Sequence, residues 1–262
     1  MEDNSKYWAL ILGGSSGLGL ASAKKLSNEG FNICIIHRDR KADLPKIKQE
    51  IALIKQNSSS CLVFNIDALN IDKRNKFISE FKAQLPQGHS IKALIHSIAK
   101  GNLKAMNSEE ESTLGNDDFR ITLDAMAISL YDWTQAIFEQ NIFASDARII
   151  SFTSEGNQRA WKNYAAVSAA KAALEAITRN IALEFARNGI RANCIQAGMT
   201  DTRSFQMIPN SDKLKSNAIS RNPFGRMTTP EDVADVVYLL TKSESAWING
   251  AIIPVDGGER FC

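Results

Sequence analysis

A tyrosine and a lysine seven positions apart are the two residues whose types and spacing indicate chemistry most directly. Tyr164 and Lys171 are separated by the residues Ala-Ala-Val-Ser-Ala-Ala. On an α-helix, seven residues return to within about 20° of the starting direction, so the phenol and the ammonium face the same side. An ammonium in this position can hold a nucleotide cofactor, and a phenol can deliver a proton to a reacting group.

The elements that must position this pair alternate between strand and helix along the whole chain. We predict strands over Tyr7–Leu12, Phe31–His37, Cys61–Ile66, Ala93–His96, Ala147–Phe152, Arg191–Gln196 and Ala251–Val255. We predict helices over Leu18–Glu29, Leu44–Lys55, Lys73–Gln84, Phe119–Gln140, Tyr164–Arg187 and Pro230–Leu240. This alternation favours an α/β fold, in which helices cover both faces of a parallel sheet. A length of 262 residues is compatible with one domain over 1–262.

A glycine-rich segment joins the first predicted strand to the first predicted helix. It comprises Gly13, Gly14, Ser15, Ser16, Gly17, Leu18 and Gly19. Glycines at such a junction let the backbone turn tightly and approach a pyrophosphate, whose charge is favoured at a helix amino terminus. The segment therefore predicts a dinucleotide site on a Rossmann-type doubly wound sheet, with an ordinary glycine-serine loop as the alternative.

The end of the second predicted strand indicates which dinucleotide binds. A chain that reads the ribose 2′-hydroxyl carries Asp or Glu there, whereas this chain has His37-Arg38-Asp39-Arg40. Arg38 and Arg40 present planar, forked donors that match a 2′-phosphate. We therefore expect NADPH rather than NADH, with a solvated basic turn as the alternative. We expect the His37 side chain to lie at the surface.

The composition is that of an ordinary globular protein and excludes several classes of function. The net charge of +2 is too small to indicate binding to nucleic acid or to an anionic membrane. The chain has no apolar run near the ~20 residues that span a bilayer, and its polar start lacks a signal-peptide pattern, so we expect a cytoplasmic protein. The four cysteines have no C-x-x-C spacing, and we expect neither a metal site nor a disulfide framework.

The chain resembles the short-chain dehydrogenase/reductase family over nearly its whole length. The matching motifs are Gly13-x-x-x-Gly17-x-Gly19, Asn65-Ile66, His96-Ser97-Ile98-Ala99, Arg191-Ala-Asn193-Cys-Ile-Gln-Ala-Gly198, Gly225-Arg226 with Glu231-Asp232-Val233, and Val255-Asp256-Gly257-Gly258. Most members carry Tyr-x-x-x-Lys, but here Ser168 stands four residues after Tyr164. The longer spacing to Lys171 resembles the divergent enoyl-acyl-carrier-protein reductases.

Further residues resemble the same branch, although two features depart from its best-known members. His96-Ser97-Ile98-Ala99 replaces the common Asn-Asn-Ala-Gly, and Lys171-Ala-Ala-Leu174-Glu175-Ala176 also matches. The best-known enoyl reductases open with Gly-x-x-x-x-x-Ser-x-Ala and carry a second tyrosine ten residues before the catalytic one. This chain keeps the glycine-rich form and has Ser154 at that position. Both departures resemble the NADPH-dependent FabL-type (type III) enoyl reductases.

The resemblance implies a role for each candidate residue. The implied catalytic residues are Tyr164, Lys171 and Ser154, with Lys171 binding the nicotinamide ribose. The implied cofactor contacts are Gly13, Ser15, Ser16, Gly17, Leu18, Gly19, His37, Arg38, Asn65, Ile66, Ser97, Ile98, Ala99, Lys171, Gly198, Thr200 and Thr202. The expected substrate contacts are Gly101 and an apolar stretch in a polar loop, Phe205, Met207 and Ile208, which either covers an acyl chain as a flexible lid or anchors the loop. We expect the ammonium of Lys171 to lower the pKa of Tyr164, because a cation favours the ionised phenol.

These expectations leave three functions open. The first is NADPH-dependent reduction of a 2-enoyl thioester on an acyl carrier protein or coenzyme A, with Tyr164 and Lys171 stabilising the enolate. The second is reduction of a 3-oxoacyl thioester or another carbonyl. The third is a protein that binds NADP without turnover. Family members commonly form tetramers through the two long helices and the last strand, so we expect a homotetramer.

Overall fold

The computed structural model describes residues 3–58, 60–109, 112–208 and 211–262. Met1 and Glu2, part of the polar start discussed above, lie outside these residues. Within the described residues, seven parallel strands form one sheet in the order β3-β2-β1-β4-β5-β6-β7. The prediction of a doubly wound parallel sheet is confirmed.

The strands and helices follow the predicted alternation. The strands are β1 Tyr7–Leu12, β2 Asn32–His37, β3 Cys61–Asn65, β4 Ser90–His96, β5 Phe143–Thr153, β6 Ile190–Ala197 and β7 Ile252–Val255. The helices are α1 Gly17–Asn28, α2 Leu44–Asn57, α3 Ile71–Gln84, α4 Asn116–Leu123, α5 Ser129–Glu139, α6 Ala165–Glu184, α7 Arg203–Gln206, α8 Ser211–Arg221 and α9 Pro230–Thr241. None of the helices in the described residues has both the length and the apolarity needed to cross a membrane.

Side chains of the central strands alternate between two helical layers. Leu10 of β1 packs in one buried cluster with Trp133 of α5 and Leu174 of α6. Its neighbour Ile11 packs in a second cluster with Leu26 of α1 on the opposite face. Successive strand residues point to opposite faces, so a strand that is apolar at every position must be covered on both sides. Both layers therefore hold the strand ends rigidly in place.

The long helix predicted over Phe119–Gln140 is interrupted by a wider π-helical turn over Asp124–Ile128. The hydroxyl of Ser129 donates to the carbonyl of Ala125 at 2.8 Å, and the same oxygen lies 2.7 Å from Nε2 of His96. Single π turns inside α-helices occur often at functional sites. Here the wider turn coincides with a hydrogen bond that links the helix to the end of β4.

Two helices occupy the segment that we expected to be a polar loop. Phe205 of α7 packs with Ala218 of α8 and with Met227 in a small buried cluster. The prediction of a loop was wrong because α7 is only four residues long and α8 is mostly polar, so neither has a clear helical period. Tertiary contacts with this cluster order the segment.

Candidate active site

The loop between β1 and α1 is shaped by close contact with the end of β4. Gly13 has a φ of +81°, and a Cβ on this residue would lie 2.4 Å from the carbonyl oxygen of Ser97. Glycine alone fits this position. Ser16 precedes α1, but its side chain makes no capping hydrogen bond, and the first helical turn contains no acidic residue. The N–H groups of this turn can therefore receive a pyrophosphate, and the loop fits a dinucleotide.

The residues that follow β2 and β3 hold each other in place. The side chain of His37 is buried, and its Nδ1 lies 2.9 Å from Oδ2 of Asp39. Asn65 binds the backbone of Asp39 through both ends of its amide, at 3.1 Å each. The N–H of Ile66 donates to the carbonyl of His37 at 2.9 Å. The expectation that His37 is a surface residue is therefore wrong, because it ends a strand that is covered on both faces.

The two arginines expected to select the cofactor are exposed, and one of them is paired. The guanidinium of Arg38 donates to Asp67 at 2.5 Å, while Arg40 lies exposed beyond it. Asp39 lines the cleft beside the glycine loop, a position that the sequence analysis did not give it. Its Oδ1 lies 3.8 Å from a guanidinium nitrogen of Arg203, which balances the negative charge. This cleft therefore carries both signs of charge near the expected ribose.

Ser97, Ile98 and Ala99 lead from the end of β4 toward a cavity at the edge of the sheet. The N–H of Ser97 donates to the carbonyl of Leu12 at 2.8 Å and joins the ends of β4 and β1. Ile98 packs against the core, and Ala99 lines the cavity. In a sheet of this strand order, ligands bind in the crevice beyond the carboxyl ends of the strands.

His96 lies at the same strand end as a neutral, buried group. Burial, with the positive charge of Lys171 as the second cause, lowers the pKa of His96 to about 3. Its Nε2 lies 2.7 Å from the hydroxyl oxygen of Ser129. The imidazole is therefore uncharged at neutral pH and positions the end of β4.

Tyr164 stands at the amino terminus of α6 with its phenol turned toward Ser154. Its Oη lies 3.4 Å from Oγ of Ser154. A Cβ on Gly156 would lie 2.5 Å from Cε1 of Tyr164, so the ring packs into space that glycine leaves free. The ring of Trp161 packs nearby, with 5.2 Å between the ring centroids. Burial raises the pKa of Tyr164, while the hydrogen bond with Ser154 acts in the opposite direction. The phenol is thus protonated at neutral pH and available as a donor.

Lys171 lies two helical turns further along α6, with its side chain buried. Its ammonium donates to the carbonyl of Phe152 at 2.6 Å. Burial lowers the pKa of Lys171 to about 8, while Cys194 and Glu175 act to raise it. We expected the lysine to lower the pKa of Tyr164, but burial of the phenol dominates and raises that pKa. The lysine thus tethers the end of β5 more directly than it activates the phenol.

A comparison with protein families agrees with this geometry. A family model described as enoyl-(acyl carrier protein) reductase matches residues 13–259. The chain belongs to the short-chain dehydrogenase/reductase family. The resemblance drawn from the sequence motifs is therefore confirmed. Membership makes the protein an oxidoreductase with a nicotinamide dinucleotide cofactor.

Relatives of this short-chain dehydrogenase/reductase cover nearly its whole length but differ in their named reactions. The 3-oxoacyl-(acyl-carrier-protein) reductase FabG of Chlamydia muridarum is 26% identical over 252 residues, which cover 95% of this chain and 96% of the relative. The enoyl-(acyl-carrier-protein) reductase (NADH) FabI of Aquifex aeolicus is 27% identical, covering 95% and 90%. The crystal structure of that Aquifex aeolicus enzyme matches with a TM-score of 0.82 at 23% identity, covering 99% of this chain and 98% of that chain, and shows the shared fold.

The cavity of this short-chain dehydrogenase/reductase begins beside the phenol and is mostly apolar. Leu103, Met126, Trp161 and Val167 line it together with Tyr164. These four apolar residues were not predicted from the sequence, because they lie in two loops, in the π-helical turn and on α6, and meet only in the folded chain. Trp161 was within reach of sequence reasoning, since it stands only three residues before Tyr164.

The expected substrate residues all line this cavity, but they do not form a loop-borne lid. Gly101, Phe205, Met207 and Ile208 lie along its wall. Phe205 is only 7% exposed and anchors α7, whereas Met207 is 61% exposed. Phe205 therefore anchors the segment to the core, whereas the Met207 side chain lies where the cavity opens to solvent.

The residues after β6 line the same cavity, and their polar side chains form hydrogen bonds within their own segment. Thr200 donates through Oγ1 to the carbonyl of Gly198 at 2.8 Å. Thr202 precedes α7, and its hydroxyl accepts from the N–H of Phe205 at 3.2 Å. All three expected cofactor residues, Gly198, Thr200 and Thr202, line the cavity. Thr202 also lines the cleft beside the glycine loop, so it lies where the two spaces meet.

A polar wall near the carboxyl terminus of the chain was missed by the sequence analysis. Glu155, Glu259 and Arg260 also line the cavity. Glu259 is buried, and its Oε2 accepts from the N–H of Met199 at 3.0 Å. Burial raises the pKa of Glu259 above its ordinary value. These residues follow β5 and β7 and meet only in the folded chain, so local periodicity gives no signal for their contacts.

We predict that Gly156→Ala lowers turnover by about tenfold or more, because the new methyl group displaces the Tyr164 ring and misplaces its hydroxyl. Gly115→Ala is the matched control, since its Cβ would meet nothing closer than 3.8 Å. Turnover should be measured beside circular-dichroism melting, and both variants should remain folded. Equal turnover of the two variants would show that the ring does not need this space.

Proposed function

We propose that the chain reduces 2-enoyl thioesters, carried by an acyl carrier protein or coenzyme A, with NADPH. The observation that carries this proposal is the Tyr164–Lys171 spacing, with the phenol at the wall of an apolar cavity. That spacing resembles the divergent enoyl reductases and departs from the Tyr-x-x-x-Lys of most family members. The apolar lining suits an acyl chain. Both relatives described above are named for substrates on an acyl carrier protein, which supports a thioester.

The protonated phenol suits enoyl reduction better than carbonyl reduction. When bound, the nicotinamide cofactor supplies the hydride, which the proposal directs to the β-carbon of the acyl chain. Negative charge then develops on the thioester oxygen, and the Tyr164 hydroxyl can stabilise it by donating a hydrogen bond. The enolate then takes its proton at the α-carbon from water, whereas a carbonyl reductase must deliver the proton to the alkoxide oxygen itself. The raised pKa of Tyr164 makes it a weaker acid for that step but leaves it a good donor.

Lys171 is proposed to bind the ribose of the cofactor. Its ammonium has three donors, and one of them is used on the carbonyl of Phe152. The remaining two can bind ribose hydroxyls without breaking that bond. Lys171 would then hold the cofactor and the end of β5 in one fixed relation.

Reduction of a 3-oxoacyl thioester is the second candidate, and Ser154 is the observation that favours it. Its hydroxyl lies 3.4 Å from the Tyr164 oxygen, so both could bind one carbonyl oxygen. The FabG relative of Chlamydia muridarum is named for this reaction. The two proposed reactions would use the same residues and would differ in the thioester that is reduced.

We predict that the purified protein oxidises NADPH with a crotonyl thioester and not with an acetoacetyl thioester. Tyr164→Phe should slow this turnover by about 10²-fold or more with little change in NADPH affinity, since the lost bond is made mainly in the transition state. Ser168→Ala is the control and should stay within about a few fold of the parent. Efficient reduction of the 3-oxoacyl thioester, without activity on any 2-enoyl thioester, would contradict the proposal.

The preference for NADPH is proposed from the charges after β2. Arg38 and Arg40 are exposed, and Asp39 is held by His37 and balanced by Arg203. The FabI relative is named for NADH, so this preference rests on the residues of the present chain. A 2′-phosphate can draw Arg38 away from Asp67, because it offers a stronger acceptor than a single carboxylate.

We predict that Arg38→Ala weakens NADPH binding by about tenfold or more, since a charge-assisted bond contributes roughly 1.5–3 kcal/mol. NADH binding should change little, as fluorescence titration with each cofactor would measure. Asp39→Asn is the companion variant and should leave NADH affinity unchanged. Equal losses for both cofactors in the Arg38 variant, or a selective loss of NADH in the Asp39 variant, would reverse the assignment.

We propose that the protein assembles as a homotetramer. Exposed apolar side chains lie on the elements expected to meet, namely Ile128 at 43%, Tyr131 at 47% and Leu183 at 76% exposure. Trp247, which precedes β7, is 97% exposed. Side chains of this size seldom stay in water when they cluster, so contacts between subunits would bury them.

We predict a tetramer by light scattering at micromolar concentration. Trp247→Glu should shift the mass toward the dimer, because a charge at a buried contact is costly. The control variant Glu80→Gln, at an exposed residue of α3 outside the elements expected to meet, should keep the mass of the parent. A monomeric parent protein would contradict the proposed assembly.

A further inference from the structure

Glu175 is a buried carboxylate that none of the roles described above uses. It lies one helical turn after Lys171 on α6, and it is 7% exposed. Its Oε1 accepts from Oγ1 of Thr153 at 2.7 Å and from Nδ2 of Asn157. Removing a carboxylate from water is costly unless hydrogen bonds and an opposite charge compensate for it. The fold therefore keeps this group in place through specific partners.

The two hydrogen-bond donors lie on either side of Ser154. Thr153 is the last residue of β5, and Asn157 ends the short helical turn that follows it. Ser154 faces the phenol from within this segment, and Gly156 leaves the space in which the phenol ring packs. One carboxylate oxygen thus holds both ends of the segment that surrounds the phenol.

Glu175 also acts electrostatically on Lys171, which lies one helical turn earlier on α6. Within the described residues, His96 on β4 and Cys194 on β6 interact electrostatically with the ammonium, and Tyr164 at the start of α6 lines the same cavity. Burial lowers the pKa of His96 to about 3 and raises the pKa values of Cys194 and Tyr164, so all three are uncharged at neutral pH. Cys194 and Glu175 both act to raise the pKa of Lys171 against the effect of burial, and Glu175 is the carboxylate of the two.

We propose that Glu175 is a positioning residue of the active site that acts through Ser154 and Lys171. It fixes the segment that carries the serine, and it balances the charge of the ammonium that binds the cofactor ribose. The assignment rests on the proposed cofactor-binding role of Lys171 and not on the choice between an enoyl and a keto substrate. Glu175 itself touches neither substrate nor cofactor.

The direct test is the pH dependence of NADPH binding, measured by fluorescence without any substrate. Binding needs the charged lysine, so affinity should fall as pH rises through the Lys171 pKa of about 8. Glu175→Gln keeps the shape and an acceptor oxygen but removes the charge. In this variant the pH midpoint of NADPH binding should move down by about one unit. Compared with the parent, NADPH binding should then be about fivefold weaker at pH 8 and unchanged at pH 6. Glu184→Gln, exposed on the same helix, should follow the parent curve.

A second variant separates the two parts of the role. Asn157→Ala removes one hydrogen bond and leaves the charge, so it should keep the midpoint of NADPH binding. Its turnover should fall about fivefold on whichever thioester the parent reduces, because Ser154 is less well held. An unchanged midpoint in Glu175→Gln would overturn the assignment to Lys171, and full turnover in Asn157→Ala would overturn the assignment to Ser154. A shifted midpoint in a protein that reduces no enoyl thioester would support this inference and reject the proposed substrate.

Discussion

The hydrogen bond from the buried ammonium of Lys171 to the carbonyl of Phe152 is the contact on which the site depends. At 2.6 Å this bond joins the second turn of α6 to the carboxyl end of β5. Because the ammonium is buried, it needs such partners, and its position is fixed by them. Tyr164, two turns earlier on the same helix, is thereby set against the segment that begins with Ser154. The chemistry of the site follows from this one link between a helix and a strand.

Burial decides the protonation of the groups that surround this link. It lowers the pKa values of Lys171 and His96 and raises that of Tyr164. At neutral pH the phenol is therefore a donor, the imidazole is uncharged, and the lysine is still mostly protonated. A neutral donor beside an apolar wall is an arrangement that stabilises a developing oxyanion without full transfer of a proton.

Local patterns sufficed to predict much of the fold and the outline of the site. The alternation of buried strands and amphipathic helices, and the need for glycine at Gly13, are properties of short stretches of sequence. The features that were missed depend on distant contacts. The burial of His37 follows from the helices on both faces of the sheet. The helices α7 and α8 form around a small core that contains Phe205. The polar wall depends on the contact between Glu259 and Met199, which are distant in the sequence.

A crystal structure of the protein with NADP⁺ and an unreactive 2-enoyl thioester analogue would test the central claim most directly. We expect the thioester oxygen within about 3 Å of the Tyr164 hydroxyl and the Lys171 ammonium on the ribose while it still contacts the carbonyl of Phe152. The acyl chain should lie along the wall formed by Met126 and Val167. A thioester oxygen bound away from Tyr164, or a Lys171 side chain that does not reach the ribose, would contradict the account.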